Sequence, residues 1–490
     1  MPRFPNAHPR FSKEKLSLAL CLLAAVAMLI WPAELLALAS GLSRFAITRF
    51  DLAFILVSSA LLLLCLGLAL SPLGRRRLGG EDALPEFGLA SWLAMLFAAG
   101  MGSGLIFWGV AEPLYHYANP PAFAADAPSP KDTALALTYF HWGSHAWSIY
   151  AMAGLVMAWF AFNRGRVMNI SASFTARRGA SRYDLLDFMA VLAIVFGLAG
   201  TLANTIALVQ TGLEQALDFA MGGVGFRLSL LVLIAAAFSL SSALGLGRGI
   251  KRLSQFNLAF VLLMLVLAVL WAGPLKVLAR AAGSTLAYVQ ALPALSFSID
   301  EASRQWSQGW SVIYLIWWIA WAPFVGPFIA RISRGRTVRQ FLLCTIFAPT
   351  LTSILWFSAF GGSALDAEAL PQLVAAVNRD YTQGLFAFLE LVPQGQLLAL
   401  AAMALLITFV VTSADSAVYV TGMLTGNTGL RAKLAWSLIL VAITAALVLK
   451  NDVDLNKEVA ILGAIPFTLV LLAQVAMLLQ SLGASRKAGQ

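Results

Sequence analysis

Charge is scarce in this chain. Only 11% of its 490 residues are Asp, Glu, Lys or Arg, while 60% are hydrophobic and the mean hydropathy is +0.82. A soluble domain of this length has no use for so much apolar surface, so a water-soluble globular protein is excluded. The net charge of +10 does not reopen the question in favour of nucleic acid. The basic residues sit in short loops between apolar segments, as at Arg75, Arg76 and Arg77, and no separate basic domain is visible. Cysteine is nearly absent. Cys21, Cys65 and Cys344 each lie inside an apolar stretch without disulfide or metal spacing, which excludes a disulfide scaffold and leaves three small hydrophobic residues. No His/Cys/Asp spacing marks a catalytic metal and no nucleophile–base pattern is present, which argues against an enzyme.

What is abundant is the long hydrophobic run. Repeated stretches of roughly 20 apolar residues are what a bilayer-spanning helix needs. The pattern predicts an all-α integral membrane protein with twelve transmembrane helices, at about 16–39, 51–72, 87–109, 136–161, 185–213, 228–246, 253–273, 307–330, 340–361, 397–424, 431–449 and 458–481. The first run follows Arg10, Lys13 and Lys15, and Ala37-Leu38-Ala39 imitates a cleavage site, but the run is longer than a signal peptide's apolar region. A retained first helix is expected. Most of the 33 Lys and Arg residues fall in the tails and the even-numbered connections, which puts both termini in the cytosol.

The segments divide into a cytosolic tail at 1–15, two peripheral helices within 16–86, and five helices within 87–281. An outer interfacial amphipathic helix at 282–306, five more helices within 307–482 and a short cytosolic tail at 483–490 complete the order. Residues 366–392 read as an outer loop with a short helix. With tails this short, no attached soluble signalling domain is expected.

Two spans carry helix breakers. Gly100-Met101-Gly102-Ser103-Gly104 puts three glycines in five residues at the middle of the third span. Such a stretch either unwinds to face a cavity or lets two helices pack closely. The eighth span carries Pro323, Gly326 and Pro327. Interruptions in the first helix of each set of five point to an inverted-repeat transporter with a midplane site, although no residue-level repeat is visible.

Aromatic residues cluster beside these breakers. Trp142, Trp147 and Tyr150 fall within a helical arc of about 140°, and Trp318, Trp321, Phe324 and Phe328 within about 120°. One reading is an interfacial belt, which suits Trp306 and Trp310. The other is a cage. A quaternary ammonium group has no N–H to donate, so a protein recognises it through aromatic faces, at ~2 kcal/mol or more per desolvated contact. In a membrane-spanning chain a cage implies transport of a trimethylammonium solute.

The chain resembles the betaine/choline/carnitine transporter family along nearly its whole length. The most specific stretch is Trp317-Trp318-Ile319-Ala320-Trp321-Ala322-Pro323-Phe324-Val325-Gly326, continuing to Arg331 and through Arg334-Gly335-Arg336-Thr337. Gly100–Gly104 with Trp108-Gly109-Val110-Ala111-Glu112-Pro113 is similar to that family's third helix, and His141-Trp142-Gly143 with His145-Ala146-Trp147-Ser148-Ile149-Tyr150 to its fourth. The resemblance implies a LeuT-type fold, a 5+5 inverted repeat formed by helices 3–12 and preceded by two extra helices. It also implies alternating access, a homotrimer and a bacterial-type inner membrane. By the same resemblance Trp142, Trp147, Tyr150 and Trp318, with Trp321 beside them, hold the ammonium head. Backbone groups around Gly100, Gly102, Ser103 and Gly104 meet a carboxylate. Sodium is the implied coupling ion, with Thr412 and Ser413 and the carbonyls of Ala98 and Met101 as ligands. Thr201, Thr205 and Phe324 form a weaker second sodium group. Thr and Ser in membrane helices also bond the i−4 carbonyl, which is the competing reading.

Several positions depart from the family pattern. Choline-type members carry Asp where Gly104 stands, so a zwitterion such as glycine betaine is expected. Sodium-independent exchangers carry an Arg in the fifth helix, and 185–213 has none. Ser103 replaces a more usual apolar residue and Asn204 is an unusual polar one. The long C-terminal extension of osmosensing members is not seen, although osmoprotection and nutrient uptake both stay open. Glu112 and Asp415 read either as proton-coupling groups or as structural pairing near helix breaks. His141 and His145 read as outer-side hydrogen bonders. The expectation is Na⁺-coupled import of a betaine. The alternatives are ion-independent or proton-coupled transport of choline, carnitine or dimethylsulfonium compounds, and a quaternary-amine membrane receptor. No nucleic-acid partner is expected; the lipid bilayer is.

Overall fold

The structure is a computed structural model describing residues 13–175, 181–244, 249–450, 456, 459, 461, 462 and 464–487. Residues 1–12 of the expected N-terminal tail and 488–490 of the C-terminal one lie outside the described residues. A backbone surrounded by lipid must satisfy its own N–H and C=O groups, and the helix does so locally. The described residues are accordingly helical, and the one sheet-like pairing among them is an isolated bridge between Arg77 and Thr337.

In chain order the helices are α1 (Lys13–Ile30), α2 (Pro32–Leu70), α3 (Leu89–Gly100), α4 (Ser103–Ala118), α5 (Pro130–Trp142), α6 (Ser144–Ala158), α7 (Ser181–Leu217), α8 (Gly223–Leu244), α9 (Gly249–Ala272) and α10 (Pro274–Phe297). They continue with α11 (Arg304–Ser307), α12 (Ile313–Arg331), α13 (Val338–Phe357), α14 (Ser363–Leu365), α15 (Leu370–Arg379), α16 (Gln383–Leu389), α17 (Gly395–Thr425), α18 (Leu430–Lys450) and α19 (Ala464–Lys487).

Ten helical units among the described residues are long and apolar enough to cross a membrane, or eleven with α3 and α4 counted as one bent span. Twelve were expected, and the difference arises at the N-terminus. Pro32 cannot continue a helix but starts one well, so α1 stops at Ile30 and α2 begins immediately. No further breaker follows until Phe50 (φ −125°, ψ 21°), where α2 only kinks. Residues 33–70 thus form one unit where parts of two spans were expected.

The third span does break within its glycine run. The chain leaves helical geometry at Met101 and Gly102, and α3 and α4 meet at 64°. A break that the sequence did not suggest separates α5 from α6 at Gly143, where a Cβ would stand 2.4 Å from the Tyr139 carbonyl oxygen. The expected interruption of the eighth span is not found. Helix α12 runs unbroken through Pro323, Gly326 and Pro327. Gly326 instead serves close packing: a Cβ there would lie 2.9 Å from that of Ala153 on α6. The amphipathic helix α10 starts ahead of the expected 282, because Gly273 (φ 91°) turns the chain and Pro274 opens the helix.

Burial sorts the helices into a core and a shell. In the spans at 130–163 and 304–331, 89% and 83% of residues are buried, against 22% and 28% in those of α8 and α9. The exposed faces of α8 and α9 carry Val232, Leu233, Leu240, Leu262, Leu263 and Val266. An apolar face of this size suits lipid. Helices α4, α5, α6, α12 and α17 form the interior, and with α3 and α7 they carry the site.

Candidate functional site

A cavity of about 80 Å³ lies at the α3–α4 break. Its aromatic wall holds Trp142 from α5, Tyr150 from α6, and Tyr314, Trp317, Trp318 and Trp321 from α12, with Phe107 and Trp108 from α4. Trp318 is the centre of this wall. Its ring lies 5.7 Å from Trp142 at 86°, 5.0 Å from Tyr150 at 60° and 5.9 Å from Trp147 at 52°. Such tilted arrangements set the edge of one ring toward the face of another. The structure therefore brings Trp142, Tyr150, Trp318 and Trp321 together on one cavity. Trp147 stands behind them, buried, with its ring against Tyr150 at 5.7 Å. Phe324 is buried against Trp321 and does not line the cavity.

Glycine at two positions of the break is a steric requirement. A Cβ on Gly100 would stand 2.5 Å from the Trp147 ring, and one on Gly104 would stand 2.7 Å from the Trp142 ring. The rings close on bare backbone at these two positions, leaving peptide groups to face the cavity. Ending α3 here frees its last carbonyls, and starting α4 here exposes its first amides. The amides and the positive end of the α4 dipole favour an anion.

The opposite wall is polar. It is made of Gly100, Gly102, Ser103 and Gly104 at the break, Thr201, Asn204 and Thr205 of α7, and Ser413 of α17. The Thr205 hydroxyl lies 2.8 Å from both Ser103 Oγ and the Thr201 carbonyl oxygen. Thr201 donates to the Gly197 carbonyl at 3.1 Å. A Cβ on Gly102 would be 3.6 Å from Ser413 Oγ, so α17 abuts the break. Thr412, one residue earlier, donates to the Thr408 carbonyl at 2.7 Å and accepts from Asn257 at 3.0 Å. Ala98 and Met101 are buried at the end of α3. The i−4 bonding considered from sequence is thus made by Thr201, Thr205 and Thr412.

Sequence reasoning missed how the cage is held. Glu112 is fully buried and gathers four donors from three helices. Its Oε1 lies 2.6 Å from His141 Nδ1 and 3.3 Å from His116 Nε2; its Oε2 accepts from Trp142 Nε1 at 2.8 Å and Tyr314 Oη at 2.6 Å. His141 also meets Ser311 at 2.9 Å and stacks on Tyr314 at 4.8 Å, while its carbonyl accepts from Trp318 Nε1 at 2.9 Å. Glu112, His116 and His141 bring potential metal-ligating atoms within 4.8 Å of one another, a cluster no spacing revealed because its members come from two helices. The 2.6 Å contact is a hydrogen bond, and the carboxylate is satisfied by its donors. His145 meets Ser296 of α10 at 3.0 Å. Asp415 accepts from Ser241 of α8, away from the cavity lining. Tyr314 had a legible signal, since Tyr314, Trp317, Trp318 and Trp321 recur at helical spacing.

Residues 15–487 match the model of the betaine/carnitine/choline family transporters. Glycine betaine transporter OpuD of Bacillus subtilis is 37% identical over 472 residues, covering 94% of this chain and 91% of that protein. Glycine betaine transporter 1 of Vibrio parahaemolyticus is 35% identical over 466 residues, covering 91% and 88%. The ectoine/hydroxyectoine transporter of Virgibacillus pantothenticus is 33% identical over 463 residues, covering 92% of each.

Proposed function

The chain belongs to the betaine/carnitine/choline family, and is therefore a multi-pass membrane transporter and not an enzyme; from that premise we propose that it imports a betaine-type zwitterion together with Na⁺. The observation that carries this reading is a single cavity with aromatic faces on one side and a helix break on the other. A trimethylammonium head rests against Trp142, Tyr150, Trp318 and Trp321, with Trp147 backing the cage. The carboxylate meets the amides at Gly102, Ser103 and Gly104. Glycine betaine is the leading substrate, as its two charges are separated by one methylene and the cavity is small. The names of the two glycine betaine relatives support the same choice.

Sodium is written here as co-substrate. Hard oxygen donors suit it: Ser413 Oγ beside Gly102, the remaining lone pair of Thr412, and the carbonyls at Ala98 and Met101. Binding there would tie α17 to the break and couple the ion to the carboxylate end. Thr201 and Thr205, with Phe324, make the second and weaker group.

The finer architecture follows from the same premise. Helices 3–12 of the twelve expected form a LeuT-type 5+5 inverted repeat behind two extra helices, and the expected segments are the tail at 1–15, 16–86, 87–281, 282–306, 307–482 and 483–490. The protein works by alternating access as a homotrimer in a bacterial-type inner membrane, with both termini cytosolic. It serves osmoprotection or uptake of the betaine as a nutrient.

The test is uptake of labelled glycine betaine into proteoliposomes with an inward Na⁺ gradient, compared with K⁺ on both sides. Accumulation only with the Na⁺ gradient is expected. Equal uptake in both conditions, driven by preloaded substrate, makes the protein an exchanger; no uptake in either removes glycine betaine as its substrate.

A further inference from the structure

Neither the break nor the cage accounts for one side chain at the polar end. Asn204 lines the cavity on α7, on the face shared by Thr201 and Thr205. A carboxamide inside an apolar span is costly unless its hydrogen bonds are made, so its partners define its purpose. Its Oδ1 accepts from Asn456 Nδ2 at 2.7 Å. Asn456 is itself buried, and this contact holds the Asn204 side chain in place. The two hydrogens of Asn204 Nδ2 are left, and among the described residues nothing accepts from them.

Its surroundings say what they would meet. Thr205, the next residue on α7, contacts Ser103 Oγ at 2.8 Å, which sets this face of α7 against the first turn of α4. That turn is where exposed amides and the helix dipole favour a negative group. Among the described residues no Asp, Glu, Lys or Arg lines the cavity, so none of the described side chains there carries charge. An anionic group at the break has helix amides on one side and a carboxamide donor on the other. A hydrogen bond to a carboxylate is roughly twice as strong as one to an alcohol.

We propose that Asn204 is a specificity-determining residue that donates from Nδ2 to the substrate carboxylate, with Asn456 as its anchor. It makes the transporter prefer trimethylammonium carboxylates to trimethylammonium alcohols. This rests on the quaternary-ammonium reading above and adds to it the origin of the zwitterion preference. The cage binds both classes alike; Asn204 tells them apart.

The experiment titrates the purified full-length chain with glycine betaine and with choline, following tryptophan fluorescence, and takes the ratio of the two affinities. That ratio does not depend on how much of a preparation is folded. In wild type it favours glycine betaine. Asn204→Asp, nearly isosteric, replaces the donor by an anion and is expected to shift the ratio toward choline by roughly ten-fold or more. Asn204→Ala is expected to shift it in the same direction by less, and Asn456→Ala by less again. A ratio within two-fold of wild type in both Asn204 variants overturns the proposal while leaving the quaternary-ammonium reading intact. A wild-type chain that binds neither compound overturns both.

Discussion

The two walls of the cavity are built on opposite terms. The aromatic wall is fixed several times over: all its rings but Trp317 and Trp321 are buried, two of their indole N–H groups have partners, and two glycines are needed to let rings approach. The polar wall consists of peptide groups, short hydroxyls and one carboxamide, several of which bond one another. Rigid ring faces select for a property, a diffuse positive charge of a certain bulk. Small polar groups with several arrangements select among molecules that share it. On the proposed reading, class and identity of the solute are read at different ends, and substitutions should separate the two.

The largest effect is expected at the centre of the aromatic wall. Trp318→Leu removes a face worth ~2 kcal/mol, about thirty-fold in affinity, and should abolish most uptake of every quaternary ammonium compound while the protein still assembles. Unchanged apparent affinity in uptake assays would break the comparison outright. Gly104→Asp comes next. Its Cβ meets the Trp142 ring at 2.7 Å, so the variant is expected to lose glycine betaine uptake by at least ten-fold, without a simple gain of choline uptake. A clean switch to choline in competition assays would mean that the ring yields and the wall is softer than described.

Glu112→Gln sharpens the account of rigidity. It leaves one acceptor oxygen and turns an amide toward donors, so several-fold weaker substrate binding is expected, with thermal stability reduced by a few kcal/mol at most. Equal binding by fluorescence titration would show that the rings hold their places without the carboxylate. Ser413→Ala tests the polar wall. A several-fold rise in the Na⁺ concentration giving half-maximal uptake is expected, with the order of preference among quaternary ammonium compounds unchanged.

The smallest effect concerns the outer surface. Asp366 accepts from Lys131 and from Arg280 of α10 at 2.8–2.9 Å. Burial alone would raise its carboxyl, but these hydrogen bonds and charges outweigh that and hold it below the usual 3.8. A depressed carboxylate stabilises the fold above its unfolded pKa and loses that contribution as pH falls through the lower folded value. Asp366→Asn should therefore slightly lower the unfolding temperature at pH 7 and lose the difference in strong acid. A difference that persists there would assign its effect to packing.

Much of this was legible in residue order because it is local. The stripe Trp318, Trp321 and the breaker Gly100-Met101-Gly102 each lie within one or two helical turns, where spacing is geometry. Glu112 was visible as a buried acid, but its partners His141, Trp142 and Tyr314 come from elsewhere in the chain, and no periodicity encodes that meeting. Gly326 misled for a related reason. Glycine loosens a helix when nothing lies against it and seats a neighbour when something does, and only the position of Ala153 decides. Gly143 is the reverse case, a single glycine that breaks a span because the Tyr139 carbonyl leaves no room for a side chain.

The close seating of α12 on α6 has a kinetic corollary. Gly154 leaves no space for a Cβ beside Ile329, as Gly326 leaves none beside Ala153, so the two helices are pressed together below the cage. Tyr150 and Trp318 ride on this pair, and Trp318 is pinned in turn to the His141 carbonyl. The rings therefore travel as one jaw. On the proposed alternating access, solute leaves without the cage falling apart, when α3 and α7 swing away from α6 and α12; α4 stays with the rings, because its Glu112 accepts from Trp142 and Tyr314. On the same proposal, residence time in the binding site is governed by the polar wall, even though most of the affinity is assigned to the aromatic one.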